Sequence, residues 1–440
     1  MTYEKAMEFL EYTNQYGSIL GLDSMKSLLK RLGNPEEQLK FVHIAGTNGK
    51  GSTAAFIASM LAEAGYLVGR YISPSVFEYR EKIQITGRKT IHNKQAEITT
   101  EYVSEKEVTE GISQIKVVCE TLLSDGKPHP TTFEIETALA MLHFVKKGCD
   151  IVVLEVGLGG RLDATNVINT TECAVITSLS MDHMQFLGHT LQEIAAEKAG
   201  IIKPGIPVVS YQQQKDAQKV INSVCDQNNA ELTITDFSKL TIDKFELQGT
   251  TFSYKDLNNL QIQMLGENQV KNAMIAIDAI KALQNKGYRI LEEDIRNGLY
   301  HAKWKGRLEI VSNQPLFLID GAHNEDAALS LAKNIKLYFS KKRIIYIMGI
   351  LADKDYEAIV RHTGTYAERI ITITPNNSRG LPAEELAHAA EKYCSKVINA
   401  GKVPDAIHKA FEAAEQEDVI IAFGSLSYLK EIYDYFGITK

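Results

Sequence analysis

The segment Phe41–Thr53, FVHIAGTNGKGST, sets three glycines and a lysine where an apolar run gives way to a helical pattern. Gly46, Gly49 and Gly51 let a backbone turn bring its N–H groups, those of Thr47 and Asn48 included, close to a polyphosphate with no Cβ in the way. Lys50 then stands to place a cation against the β and γ phosphates, and Ser52 or Thr53 to offer a hydroxyl to a magnesium ion at the helix N-terminus. The standard loop of this kind has four residues between its first glycine and the Gly-Lys pair, whereas Gly46 and Gly49 are separated by two, so this is a shortened variant. A tight strand-to-helix connection is the plainer reading. The apolar strand before the turn and the AAFIASMLAEAGY pattern after it favour the phosphate site.

Further polar residues stand at the ends of apolar runs. IVVLEV brings Glu155 to a strand end with GLGGRLDATN beyond it, where a hard cation beside a nucleotide needs an oxygen donor; the plainer alternative is a turn cap or a pair with Arg161. ITSLSMDHMQFLGHT places Asp182 and His183 after another buried run, with Thr190 opening the next helix, and an Asp-His pair there suits a metal or catalytic role. Asp163, two residues before Thr165, fits a local turn hydrogen bond as readily as a site. Near the C-terminal third, LFLID ends in Asp320 and continues through Gly321, Ala322, His323 and Asn324 into a helix. Asp320 suits a ribose, a cation or an incoming ammonium, and His323 proton transfer near neutral pH; the alternative is an N-cap at Asn324 with His323 merely exposed. Arg307 reads equally as an ATP-phosphate ligand and as half of a surface ion pair.

The elements that must position these residues alternate short β-branched runs with longer helical patterns, as in α/β domains built on mainly parallel sheets, whose ligands sit at strand ends. Candidate strands are 41–45, 67–72, 151–156, 173–178 and 207–210. The helix from Thr131, TTFEIETALAMLHFVKKG, is expected to pack on the sheet, with its Phe and Met residues in the core. The polar stretch from Gly87 reads as a loop or exposed hairpin leading into a helix and is expected to border an acceptor pocket. A second alternation begins near Pro315. We therefore expect two domains: an N-terminal P-loop ATPase domain with a mainly parallel sheet over 1–296, and a smaller Rossmann-like doubly wound domain over 297–440, with a ligand cleft at their junction.

Composition narrows the partners. At 440 residues, 44% hydrophobic and 23% charged, the chain has the make-up of a soluble globular protein, and a net charge of −7 offers no basic face for nucleic acid or an anionic membrane. The five cysteines are scattered without metal-like spacing, which fits reduced thiols. The acidic, amphipathic start MTYEKAMEFLEYTNQYGS lacks the form of a signal peptide, and no apolar run reaches the ~20 residues of a membrane span. A cytoplasmic protein acting on small molecules is expected.

Taken in order, GTNGKGS at 46–52, YISP at 71–74, LEVGLGGRLDATN at 154–166, MDHMQFLGHT at 181–190, EKAGIIKPG at 197–205, IDGAHN at 319–324, GILADKD at 349–355 and GSLSYL at 424–429 resemble the folylpolyglutamate synthase and dihydrofolate synthase family, relatives of the Mur ligases. The resemblance spans nearly the whole chain. It implies a ligase that phosphorylates a folate carboxylate with ATP and lets the amine of L-glutamate attack the acyl phosphate. It also implies residue roles: Lys50 and the loop amides on the ATP phosphates; Ser52, Ser73 and Glu155 near magnesium; His183 as a ligand of a second magnesium; and Lys198 as a carbamylated lysine, a cation converted into an oxygen-donating anion. From the residues alone, Lys198 reads as a surface helix position. By the same resemblance Asn272, Arg307 and Asp320 match nucleotide-binding positions, His323 a position for catalysis or glutamate, and Pro74, Asp163 and Ser425 candidate folate or glutamate contacts. A potassium ion is a further candidate cofactor, and a monomer is implied.

Two departures stand out. The family pattern Gly-x-His-Gln-x-x-Asn meets Gly266-Glu267-Asn268-Gln269-Val270-Lys271-Asn272, and Ser-Pro-His meets Ser73-Pro74-Ser75. They touch the adenine and folate assignments and leave the phosphate loop intact. Two other readings compete. A Mur-type ligase on a UDP-linked cell-wall precursor would need a further N-terminal domain, and 45 residues precede Gly46. A P-loop nucleotide switch would have no use for the Asp320–Asn324 turn.

Overall fold

The computed structural model describes residues 1–17, 21–90 and 96–438. By compactness the chain divides into two units, one of residues 1–240 with 271–302, the other of 241–270 with 303–440. The expected single cut after residue 296 lies six residues from the last crossing at 302/303, but the segment 241–270, assigned from sequence to the first domain, groups with the second unit. The physical reason is packing: Leu265 is buried in the second unit's core with Leu308, Leu318 and Leu331, and Leu247 packs against the same cluster.

The first unit is built on β1 (Phe41–Ala45), β2 (Val68–Tyr71), β3 (Ile83–Thr90), β4 (Ala96–Tyr102), β5 (Ile151–Glu155), β6 (Thr171–Ile176), β7 (Val208–Ser210) and β8 (Leu232–Ile234). These form one sheet in the order β4-β3-β2-β5-β1-β6-β7-β8. Every strand from β2 to β8 in that order pairs parallel, while β3 and β4 add an antiparallel edge. β1 and β5 are buried at every position, as strands covered on both faces must be. The helix Lys50–Glu63 is buried from Gly51 to Glu63. On one side of the sheet a cluster joins Phe41, Tyr71 and Leu154 to the helices Tyr3–Thr13, Asp23–Arg31, Glu105–Ser124 and Thr132–Lys147; another joins Ala45 and Ile176 to Ile201 and Ile221.

Helix starts follow local chemistry. Thr131 and Thr190 each accept from a backbone N–H three residues on, and Glu134 and Glu193 reach back to close a capping box. The polar stretch from Gly87 is the β3–β4 hairpin leading into the helix Glu105–Ser124; its residues 91–95 lie outside the described residues.

The second unit holds an antiparallel meander, β9 (Leu240–Glu246), β10 (Gly249–Tyr254) and β11 (Leu257–Ile262), whose first residue belongs to the other unit. Its main sheet contains β12 (Glu309–Asn313), β13 (Leu316–Asp320), β14 (Ile344–Met348), β15 (Arg369–Ile373), β16 (Val397–Gly401) and β17 (Val419–Phe423), in the order β12-β13-β17-β14-β15-β16. All pairs but β12–β13 are parallel, the doubly wound arrangement expected. Among the described residues no helix is long and apolar enough to cross a membrane.

Candidate active site

β1 ends at Ala45, and the next four residues turn into the helix that begins at Lys50. The turn requires glycine at two points. At Gly46 (φ 151°) a Cβ would sit 1.8 Å from Thr177 Oγ1, and at Gly49 (φ 89°) it would sit 2.5 Å from Asn272 Oδ1. The loop is braced by the segment leaving β6. Thr47 N donates to the Ser178 carbonyl at 2.9 Å, Ser178 Oγ to the Asn48 carbonyl at 3.2 Å, and Ser180 N to Thr47 Oγ1 at 3.2 Å. Asn272 is fixed in turn by the Tyr211 hydroxyl, which donates to its Oδ1 at 2.7 Å. Ser52 is buried in the first turn of the helix.

Two lysines converge on this turn. Lys50 Nζ donates to the carbonyls of Gly46 at 3.1 Å and Thr47 at 3.3 Å and lies 4.0 Å from Glu155 Oε1 at the end of β5. Lys198 Nζ donates to the same Gly46 carbonyl at 3.0 Å. Lys198 is not the surface residue its helix pattern suggests: only 5% of it is exposed. Burial, reinforced by the positive charge of Lys50 and opposed by Asp182, Asp163 and Glu197, pushes its amine down to about 7. Arg161 pairs with Glu197 at 2.7 Å, and Glu155 is buried facing Lys50.

Asp182 and His183 follow the brace. His183 has a left-handed backbone (φ 49°), heads the short helix Met184–Leu187, and its half-exposed ring lies 3.8 Å from the Asp182 carboxylate. Among the described residues no group of three or more His, Cys, Asp or Glu is disposed to hold a metal.

Ser73, half-buried after β2, borders a cavity of about 240 Å³ whose walls include Phe133, Glu134, Leu158 and Asp163. The exposed Pro74 follows it, and Glu81 holds the same loop by accepting from the N–H groups of Val76 at 3.0 Å and Phe77 at 2.9 Å. Asp163 makes the turn bonds foreseen, accepting from Thr165 N at 3.0 Å and Oγ1 at 2.5 Å, and from Leu158 N at 2.8 Å. Burial raises its carboxyl against these donors. Phe133 packs against the core as its helical spacing predicts and also borders the cavity, and Glu134, buried, closes the capping box on Thr131.

In the second unit, Asp320 ends β13 and Ser425 follows β17, adjacent parallel strands whose register sets Asp320 beside Phe423. Asp320 accepts from Leu308 N and Ala322 N, both at 2.8 Å; burial raises its carboxyl, and Arg307 opposes this. The His323 Nδ1 lies 2.7 Å from the Gly321 carbonyl, which can only accept, so the ring proton is on Nδ1. Asn324 is the N-cap of the helix Glu325–Phe339, accepting from Ala327 N at 2.9 Å. Ser425 is buried and 2.8 Å from Ser427 Oγ. Asn268, where the family pattern has histidine, donates to Ser330 Oγ at 2.8 Å.

Comparison with known proteins places this architecture. Residues 44–280 match the Mur ligase middle domain and residues 306–426 the Mur ligase glutamate ligase domain. The first match takes in 241–270, which packs with the second unit; the family boundary follows chain order and the compact unit follows packing. The chain is 36% identical over 440 residues, 98% of each chain, to the dihydrofolate synthase/folylpolyglutamate synthase of Bacillus subtilis (strain 168). The folylpolyglutamate synthase of Thermotoga maritima superposes with a TM-score of 0.85 at 32% identity, covering 100% of this chain and 98% of that one. E. coli FolC in complex with DHPP and ADP superposes with a TM-score of 0.84 at 28% identity, covering 98% of both. The protein defined by this fold is a Mur-type ATP-dependent ligase. Within that class the chain belongs to the folylpolyglutamate synthase/dihydrofolate synthase family, whose reaction is the ATP-dependent ligation of glutamate to a folate.

Proposed function

We propose that Gly46–Ser52 and Lys50 hold the ATP phosphates while a folate carboxylate oxygen attacks the γ phosphorus and ADP leaves. The glutamate amine then attacks the acyl carbon of the mixed anhydride, loses a proton, and expels phosphate. The observation that carries this reading is the convergence of Lys50 and Lys198 on the Gly46 carbonyl, with Glu155 4.0 Å from Lys50. The Lys50 cation in the first turn of a helix that follows a glycine turn suits a polyphosphate, and its present partners, backbone carbonyls, are weaker acceptors than phosphate oxygens; Lys198, beside it, is assigned to the same site as a carbamate.

The donor set fits magnesium. Buried Ser52 and Glu155 offer oxygens beside the phosphate turn, as a hard cation demands, and few protein ligands are needed when phosphates complete its shell. Ser73, His183 and a carbamate on Lys198 complete the proposed set for two ions. Magnesium held there would neutralise charge on the nucleotide's phosphates. An amine whose pKa lies near 7 is half unprotonated at neutral pH and so able to attack CO2, forming the N–C bond and releasing one proton. A ¹³C signal from labelled bicarbonate, lost in Lys198→Ala, tests it. Potassium is the further candidate cation, tested by exchange for sodium.

Asn272, Arg307 and Asp320 are assigned to the nucleotide. His323, with its proton on Nδ1, is assigned to accept the amine's proton at Nε2. The cavity bordered by Ser73, Phe133 and Asp163 is assigned to the acceptor's ring system, with Pro74 at its edge and Ser425 on the glutamate. We take the protein to act as a cytoplasmic monomer, which sedimentation of the purified chain tests. The reaction itself is tested with acceptor labelled by ¹⁸O in its carboxylate: one label should appear in the released phosphate, and ADP release should need both the acceptor and L-glutamate. Turnover indifferent to either, or phosphate without label, would refute the mechanism.

A further inference from the structure

His43 is a buried titratable residue with no part in the chemistry above. It lies in β1 between β5 and β6, opposite Leu154 and Ala174, two residues before the strand ends, and is fully buried. Its Nε2 stands 2.9 Å from Thr165 Oγ1, and that hydroxyl donates to Asp163 Oδ1 at 2.5 Å. A hydroxyl has one proton to give. Towards His43 it therefore accepts, which places the imidazole proton on Nε2. Burial, with a smaller contribution from Lys203, pushes the ring down to about 3, so it is neutral at physiological pH. Its Nδ1 is enclosed without a hydrogen-bond partner. An apolar side chain would escape that cost, so packing alone does not account for a histidine here.

The donors run on in one direction. From Nε2 of His43 they pass through the Thr165 hydroxyl to Asp163, whose second oxygen takes the Leu158 N–H at 2.8 Å. Leu158, Leu162, Asp163 and Ala164 form one wall of the cavity that Ser73 and Phe133 also line. Asp163 has its oxygens committed to these backbone and hydroxyl donors, so its orientation, and the turn it holds, depend on where Thr165 points.

We propose that His43 and Thr165 are positioning residues for the acceptor: they lock the Asp163 carboxylate and the Leu158 turn into the wall against which the acceptor's ring system packs. The inference rests on the reading of this cavity as the acceptor's. It takes nothing from the phosphate loop, so its signature is a change in acceptor binding with ATP binding preserved.

The test uses the full chain and steady-state ADP release, with dihydropteroate and a tetrahydrofolate as acceptors, titrating acceptor and ATP separately. Thr165→Val keeps the shape and removes the relay. It is expected to raise the acceptor KM roughly tenfold, the scale of effect when a group one step from the ligand sets its geometry, while the ATP KM stays within about twofold. Thr165→Ser, which keeps the hydroxyl, should restore the acceptor KM, and His43→Gln, which keeps an N–H donor, should do the same where His43→Leu does not. Should His43→Leu fail to fold, the Thr165 pair still decides. An unchanged acceptor KM in folded Thr165→Val, or acceptor and ATP KM rising together, would overturn the proposal. Asp163→Asn separates the two readings. If it leaves the acceptor KM untouched, the cavity is not the acceptor's and both fall; if it raises KM where Thr165→Val does not, the cavity reading stands and the relay falls.

Discussion

Replacing His43 by glutamine should make the first unit less sensitive to acid. In the unfolded chain this imidazole takes up a proton as the pH falls through about 6.5, whereas in the folded protein burial withholds the proton until about 3. Between those values the unfolded state binds more protons, so stability falls as the pH is lowered, by about 1.4 kcal/mol per pH unit once well below 6.5. From pH 7 to pH 5 the loss attributable to this ring is about 2 kcal/mol, and it saturates on the order of 5 kcal/mol below pH 3. Glutamine has no proton to take up. Urea unfolding of the wild type and His43→Gln at pH 7, 6 and 5 isolates the effect, because every other titrating group cancels in the difference. Hydrogen exchange in β1 ties the transition to the first unit. The free-energy difference should move by about 2 kcal/mol in the variant's favour between pH 7 and pH 5. A difference constant to within about 0.5 kcal/mol would refute the burial argument.

Three other outcomes are expected. Gly49→Ala puts a Cβ at φ 89° against the Asn272 amide, so ATP KM should rise at least tenfold and stability should fall by about 1–2 kcal/mol, read as a lower melting temperature. Glu155→Gln keeps the shape and removes the charge beside Lys50; kcat should fall about a hundredfold, and a variant with wild-type kcat would exclude Glu155 from the metal site. Lys198→Met should abolish ADP release while flattening stability against pH. Kept free of CO2, so that the amine is not carbamylated, the wild-type lysine is lowered to about 7 in the fold from 10.5 in the unfolded chain; the unfolded chain holds the extra proton in that window and wild-type stability rises with pH across it, which denaturation at pH 7 and 9 reads.

The glycine turn was legible because its requirement is local. Gly46 and Gly49 are the residues that a backbone turn needs at those two points, and a strand and a helix bracket them in the chain. Lys198 was not. Its helix, LQEIAAEKA, carries the lysine at its end, where one expects solvent; what buries it is the Gly46 carbonyl, 152 residues away in the chain. The alternative partner read for Glu155 was misjudged, since Arg161 turns to Glu197 on another helix. The β9–β11 meander shows why the domain cut was incomplete: short, alternating, half-exposed strands announce a sheet but not which core will receive it. The receiving residues, Leu308 onward, come later in the chain. Phe133 packs with the same core cluster as Ile135 and Leu139, so nothing in its pattern announces that it also borders the cavity.

The placement of 241–270 bears on how the chain is made. The ribosome delivers this meander before residues 271–302 complete the first unit, and β17, central to the sheet whose core receives Leu265, is made about 160 residues after β11. At bacterial-to-eukaryotic elongation rates that interval is roughly ten to thirty seconds. Throughout it, Leu247 and Leu265 have no second-unit core to join. Synthesis therefore passes through an interval in which the residues of the first unit are complete while the core that receives Leu247 and Leu265 is not.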